Sequence, residues 1–172
     1  MYMDSEGNTR LHIAVSHNEL RLVQHILSKR DTYTDAQNNE GDTSLHIAIR
    51  TFGRTANLAD TLTIVKLLLS RGADPNARNH AGDGPLHLAA KRNARSIMLI
   101  LMESDVDPDI RNADGNTALH ICARRNALST VEVLMAYHAN PDIRNADGKL
   151  AVHLTSWSEV IKCIHKPRTH HS

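Results

Sequence analysis

A Leu-His or Val-His pair recurs five times along the chain, each time beginning four residues after a glycine. The pairs are Leu11-His12, Leu45-His46, Leu86-His87, Leu119-His120 and Val152-His153, and the glycines are Gly7, Gly41, Gly82, Gly115 and Gly148. Both series advance by 34, 41, 33 and 33 residues. A period near 33 predicts a stack of similar units, in which each unit buries its apolar face against its neighbours.

The fourth unit shows the local pattern most clearly. Asp114-Gly115 is a tight-turn sequence, because glycine adopts positive φ without steric strain. Thr117 can begin a helix by accepting a backbone N–H, and Leu119 and Cys122 then fall on one helical face. The pattern predicts a turn followed by a short amphipathic helix.

A second apolar helix follows in each unit, as in the run from Val131 to Met135. In the second unit this helix ends at Gly72-Ala73-Asp74-Pro75-Asn76, where glycine suits a left-handed cap and proline cannot continue the helix. Each unit is therefore expected to contain two short helices and a turn.

Together these motifs resemble the ankyrin repeat: Thr-x-Leu-His-x-Ala, a second apolar helix, Gly-Ala-Asp-Pro-Asn and Asn-x-x-Gly. The resemblance implies an all-α fold, an ankyrin-repeat solenoid of about five repeats in which β-turn fingers join antiparallel helix pairs. It predicts a single domain over residues 1–165, followed by a flexible C-terminal tail at 166–172. The repeats are expected at about 4–37, 38–78, 79–111, 112–144 and 145–165.

Two units depart from the common length. The second is seven residues longer than the first, and the extra residues lie in Thr51–Asp60, between its two helices. The fifth is short and is expected to be a terminal cap whose second helix is Glu159–His165. Trp157, the only tryptophan, is expected to cover the open end of the core there, with a partner contact as the alternative.

Composition excludes several classes of protein. The 20 Lys and Arg residues balance 19 Asp and Glu residues, so no net charge attracts nucleic acid or a membrane. Two cysteines form no disulfide framework, and no segment has the roughly 18 apolar residues of a membrane span. The polar start, Met1 to Thr9, has no signal-peptide pattern. We expect an intracellular protein, cytoplasmic or nuclear.

The sequence suggests no enzyme. One histidine per repeat does not give the clustered spacing of a metal site, and the ankyrin resemblance implies that these histidines are structural hydrogen-bonding residues. We find no nucleophile constellation, phosphate loop or paired carboxylates. We therefore expect no catalytic residue, metal, cofactor or small-molecule ligand.

Basic residues recur at two positions of the repeat. In ankyrin proteins both positions point to the concave face, where partners dock, so we predict that these residues bind an acidic or phosphorylated partner. The alternative is a solvated face, since cations favour helix C-termini and the finger arginines alternate with aspartates. The candidate residues are Arg50, Lys91, Arg92, Arg124 and Arg125 at the ends of first helices and Arg78, Arg111 and Arg144 in the fingers. Separately, Phe52 and Arg54 in the insert are predicted to contact a partner at the edge of the stack, with a tolerated loop extension as the alternative.

The resemblance implies protein binding and leaves two functions open. The chain resembles small ankyrin proteins that dock on protein kinases, including cyclin-dependent kinase inhibitors and an insect ankyrin protein that restrains DNA replication. It is therefore predicted to be a regulatory subunit of a cell-cycle Ser/Thr kinase, acting in the egg and early embryo. The alternative is an I-kappa-B-like inhibitor of a Rel/NF-kappa-B transcription factor. The basic residues count against that alternative, because a DNA-binding surface is itself basic.

Overall fold

The structure is a computed structural model that describes residues 3–30, 32–54 and 57–165. These residues form no β-strand beyond an isolated bridge between Met3 and Thr9, which confirms the predicted all-α class. The described helices are α1 (Arg10–Ser16), α2 (Leu20–Leu27), α3 (Ser44–Thr51), α4 (Leu58–Ser70), α5 (Pro85–Arg92), α6 (Arg95–Met102), α7 (Ala118–Arg124), α8 (Leu128–Ala136), a 3₁₀ turn (Ala151–Leu154) and α9 (Ser158–His165). The predicted tail, 166–172, lies outside the described residues.

The helices pack in two layers. The first helices, α1, α3, α5 and α7, lie side by side and end at the 3₁₀ turn, and the second helices, α2, α4, α6, α8 and α9, form the other layer. One continuous core fills the space between the layers, and aliphatic residues such as Leu45, Ile64, Leu68 and Leu134 are completely buried in it. A thin two-layer stack can therefore be filled with little aromatic side-chain volume.

Fingers join successive helix pairs and stack through their backbones. The N–H of Ala146 donates to the carbonyl of Asp114 at 3.0 Å, and equivalent bonds join the three preceding pairs of fingers. Gly115 has φ +72°, and a Cβ at this position would lie 2.7 Å from the backbone nitrogen of Ala146. Glycine is thus required here for the turn and for the close approach of the next finger.

The extra residues of the second repeat are divided between a turn and a helix. The α4 helix has 13 residues, whereas α2 and α6 have eight each, so part of the insert extends α4. Phe52 begins the turn after α3 and is half-buried, packed against the core. Arg54 is exposed.

The fifth repeat is reduced, as its length suggests. Its first helix is only a 3₁₀ turn, and its second helix begins at Ser158, one residue before the predicted start.

The predicted capping role of Trp157 is wrong: this residue is 51% exposed, and Val160 and Ile164 enter the core instead. Trp157 immediately precedes α9, whose apolar face begins a turn later, so the indole remains in solvent.

A pair of glycine substitutions tests the finger packing. Gly148 has φ +73°, but no atom lies within 4 Å of a Cβ built on it. We expect Gly148→Ala to lower the free energy of unfolding by about 1 kcal/mol, the strain of alanine at positive φ. Gly115→Ala is expected to lower it by at least about 1 kcal/mol more, because its Cβ also collides with the next finger. Urea unfolding measures both, and equal losses would contradict the stacking argument.

Candidate protein-interaction surface

Buried histidines bridge each repeat to the next. The backbone N–H three residues before each of His12, His46, His87 and His120 donates to the imidazole Nδ1 at 3.0 to 3.3 Å. The opposite nitrogen, Nε2, donates to a finger carbonyl of the following repeat at 2.9 to 3.1 Å. We call this series the histidine ladder. Both ring nitrogens are occupied by protein groups.

The histidine ladder requires neutral imidazoles. Because a backbone N–H donates to Nδ1, the ring proton belongs on Nε2, where it serves the next finger. Burial lowers the pKa of all four ladder histidines, and their neighbouring carbonyls and carboxylates offset this only in part. These side chains therefore hold the stack together, as the family resemblance implies.

A second series of bonds, the asparagine ladder, runs through the fingers. The side-chain oxygen of each of Asn38, Asn79, Asn112 and Asn145 accepts two N–H groups of its own finger. The amide nitrogen donates backwards, to Asn8, Asp42, Asp83 and Asn116 respectively, at 2.8 to 3.0 Å. The acceptor is always the residue that follows the finger glycine.

Left-handed asparagines link the turns between helices. Asn18, Asn93 and Asn126 have φ of 57°, 51° and 54°. Each accepts a hydroxyl from the next repeat, donated by Thr61, Thr130 and Thr155 respectively.

This link is absent between the second and third repeats in the described part of the chain. The insert follows α3 there, and Ile97 occupies the position that Thr130 holds one repeat later. Arg92 crosses the junction instead and donates from Nη2 to the carbonyl of Arg50.

The predicted finger arginines are exposed, but they also bond to the backbone. Nε of Arg78 and of Arg111 donates to the carbonyl four residues ahead at 3.2 Å, and Arg144 donates from Nη1 to the equivalent carbonyl at 2.7 Å. Arg78 also reaches the carbonyl of Arg111 in the next finger at 2.6 Å. These three guanidinium groups therefore brace the fingers, a role that the sequence pattern did not indicate.

Two of the predicted cations at the helix ends are paired with carboxylates. Arg50 Nη1 lies 2.6 Å from Glu40 and 3.0 Å from Asp42, whose side chain is completely buried. In the third repeat, Lys91 pairs with Asp83 of its own finger. Burial opposes ionisation of Asp83, but hydrogen bonds from Lys91 and Asn112 outweigh it and hold its pKa below the usual value.

Four of the predicted arginines at the helix ends and in the insert have no carboxylate partner. Within the described residues, Arg54, Arg92, Arg124 and Arg125 make no ion pair. Burial, together with the neighbouring Arg54 and Arg50, lowers the pKa of Arg92. The basic positions thus fall into a paired and an unpaired group, and sequence reasoning missed this division. The sequence does contain a signal for this division, because the acidic partners Asp42 and Asp83 each lie eight residues before their cation.

Other potentially reactive groups are few. Cys122 is buried, and burial raises the pKa of its thiol to about 11, so it is protonated at neutral pH. The described residues contain no group of three or more His, Cys, Asp or Glu side chains arranged to hold a metal ion. Among the described helices, none has the length and apolar character needed to cross a membrane.

Comparison with known families agrees with this geometry. A profile described as "Ankyrin repeats (3 copies)" matches residues 2–79 and 54–145, which together exceed half of the chain. The chain is an ankyrin-repeat protein. Members of this family generally act as non-catalytic modules for protein–protein interaction.

Several ankyrin proteins are similar to this one. The B-cell lymphoma 3 protein homolog of Mus musculus is 35% identical over 103 residues, and the NF-kappa-B inhibitor alpha of Rattus norvegicus is 29% identical over 102 residues. Each match covers 58% of this chain but only 21% and 30%, respectively, of the relative. The crystal structure of the ankyrin repeat domain of Bcl-3, a member of the IkappaB protein family, superposes with a TM-score of 0.86 at 26% identity. That match covers 95% of this chain and 70% of the Bcl-3 chain.

The histidine ladder makes stability dependent on pH. The folded-state pKa of each ladder histidine lies below its unfolded value of about 6.5, so stability is complete above that pH and falls as the pH drops through it. Each histidine can contribute up to about 1.4 kcal/mol per pH unit. Urea unfolding at steps from pH 8 to pH 5 should show a plateau and then a decline, starting above the range in which Asp83 titrates. A stability independent of pH over that range would contradict the neutral ladder.

Proposed function

We propose that this chain is a non-catalytic, I-kappa-B-like module that binds a Rel/NF-kappa-B transcription factor inside the cell. The observation that carries the proposal is the match to the Bcl-3 ankyrin domain, which extends over 95% of the chain. The similarity to NF-kappa-B inhibitor alpha supports the same class of partner. This proposal takes the place of the kinase-subunit function as the favoured function.

The distribution of charge reduces the main objection to a basic partner. Arg50 and Lys91 are compensated by Glu40, Asp42 and Asp83, so two members of the basic series present little net charge. The finger arginines are bound to carbonyl groups, which hold them in place but leave their charge. A positively charged Rel surface would therefore meet less repulsion at Arg50 and Lys91 than the sequence alone suggests.

The fingertips offer acidic contacts for such a partner. Asp114 and Asp147 precede the glycines of the last two fingers, are exposed, and form no ion pair in the described part of the chain. Their carboxylates lie on stacked fingers, joined by the bond from Ala146 to the carbonyl of Asp114. We propose that this acidic pair faces the basic DNA-binding surface of the Rel protein.

The kinase function is tested by the same experiment. The relatives described above do not support a cell-cycle Ser/Thr kinase partner or restraint of DNA replication: one is named an NF-kappa-B inhibitor, and the similar crystal structure is that of an IkappaB family member. A kinase and a Rel dimer can each be offered to the same purified chain. Direct comparison of the two partners therefore separates the functions.

The test is binding to purified partners. We expect calorimetry to detect binding of the chain to a Rel homology dimer, and fluorescence anisotropy to show that the complex releases the DNA held by that dimer. Asp114→Arg with Asp147→Arg should weaken the complex roughly tenfold, about 1.4 kcal/mol, through like-charge repulsion.

Glu103→Arg with Asp105→Arg provides the matched control, because these exposed acidic residues lie at the end of α6, away from the fingertips. Its affinity should stay close to that of the parent. Failure to bind any Rel dimer would overturn the proposal, and binding to a cyclin-dependent kinase instead would establish the kinase function.

A further inference from the structure

Four arginines without carboxylate partners lie where first helices end, in three successive repeats. Arg54 follows α3 in the insert, Arg92 ends α5, and Arg124 and Arg125 end α7. We call this surface the arginine edge. Because first helices are neighbours in one layer, the edge runs across the stack rather than along one helix.

Several acidic groups of these repeats are already engaged. Glu40 and Asp42 contact Arg50, Asp83 contacts Lys91, and Glu132 faces Arg95 at 3.7 Å. The positive charge of Arg54 and Arg92 is also concentrated, since Arg50 and Arg54 are both close enough to lower the pKa of Arg92. Helix-end preference for cations does not explain a cluster of three guanidinium groups.

One exchange within the repeat pattern adds to this unpaired charge. The residue eight positions before the helix-end cation is Asp42 for Arg50 and Asp83 for Lys91, but it is Asn116 for Arg124. Asn116 still accepts the ladder bond from Asn145 at 3.0 Å. The asparagine thus keeps the structural bond and removes the carboxylate that would neutralise Arg124.

We infer that the arginine edge binds an extended acidic segment of a protein partner, which crosses the stack with carboxylates about one repeat apart. Packed helices are separated by about 8–10 Å, and an extended peptide advances about 3.3–3.6 Å per residue. Acidic residues at every third position therefore match successive repeats. Guanidinium groups suit this partner because they bind carboxylates through two parallel hydrogen bonds.

Part of the edge is held in place before binding. Arg92 is tied to the carbonyl of Arg50, and Phe52 packs the insert turn against the core. A surface held in this way loses little conformational freedom when a partner binds. With a net charge of only +1, the chain has no general attraction for polyanions, which favours a protein segment over nucleic acid.

Synthetic peptides test this inference independently of Rel binding. The probe is a fluorescent twelve-residue peptide with Glu at every third position and Ser between, compared with a peptide of the same composition whose four Glu residues are contiguous. We expect the spaced peptide to bind at least about threefold more tightly, with affinity that falls as salt rises. Equal affinity for both peptides, or tighter binding of a single-stranded oligonucleotide or of a phosphoserine peptide, would overturn the assignment.

Charge reversal locates the binding site. The double variant Arg54→Glu with Arg125→Glu changes two exposed residues of the arginine edge. Neither side chain makes a hydrogen bond within the described part of the chain, so we expect the fold to persist. This variant should bind the spaced peptide at least about tenfold more weakly. The control, Arg21→Glu with Lys66→Glu, places the same charge change on exposed positions of second helices and should retain affinity. Equal losses in the two variants would refute a local site, and circular dichroism checks that both are folded.

Discussion

The neutral imidazole that joins each helix start to the next finger is the contact on which the stack depends. It satisfies a backbone N–H at the beginning of one repeat and a carbonyl of the next, both within the buried interior. The contact therefore fixes the position of each helix start relative to the finger of the next repeat. Within each of the five repeats, the histidine lies five residues after the finger glycine. The insert lies where no such contact passes, between α3 and α4.

The same constraint determines where charge can be buried. In the first four repeats, the residue after the finger glycine must accept a hydrogen bond from the asparagine of the next finger, which Asp and Asn do equally well. Where Asp is present, a completely or nearly buried carboxylate requires a cation, and Arg50 and Lys91 supply it. The basic series is therefore partly an internal requirement of the fold rather than a binding surface.

The fold was predictable from the sequence because its determinants are local and periodic: the glycine turn, the capping threonine and the buried histidine each recur in register. The candidate surface was predictable only as a set of positions. Arg50 is paired with a carboxylate and Arg124 is not. This difference depends on the finger residue eight positions earlier, and helical periodicity does not reveal that contact. The exposure of Trp157 likewise depends on where α9 begins, and the shortened fifth repeat has no close precedent in the other four.

Recognition in such a stack resides in positions that the ladders leave free. Position 116 is Asn, where the two preceding repeats have Asp. The asparagine removes the negative charge that would compensate Arg124 and still accepts the bond from Asn145, so the structure tolerates it. The insert removes one link between turns, and Arg92 fills the gap while adding charge to the edge. In both places the fold remains satisfied while the charge of the surface changes. A repeat protein can thus acquire a new partner through exchanges that its ladders do not oppose.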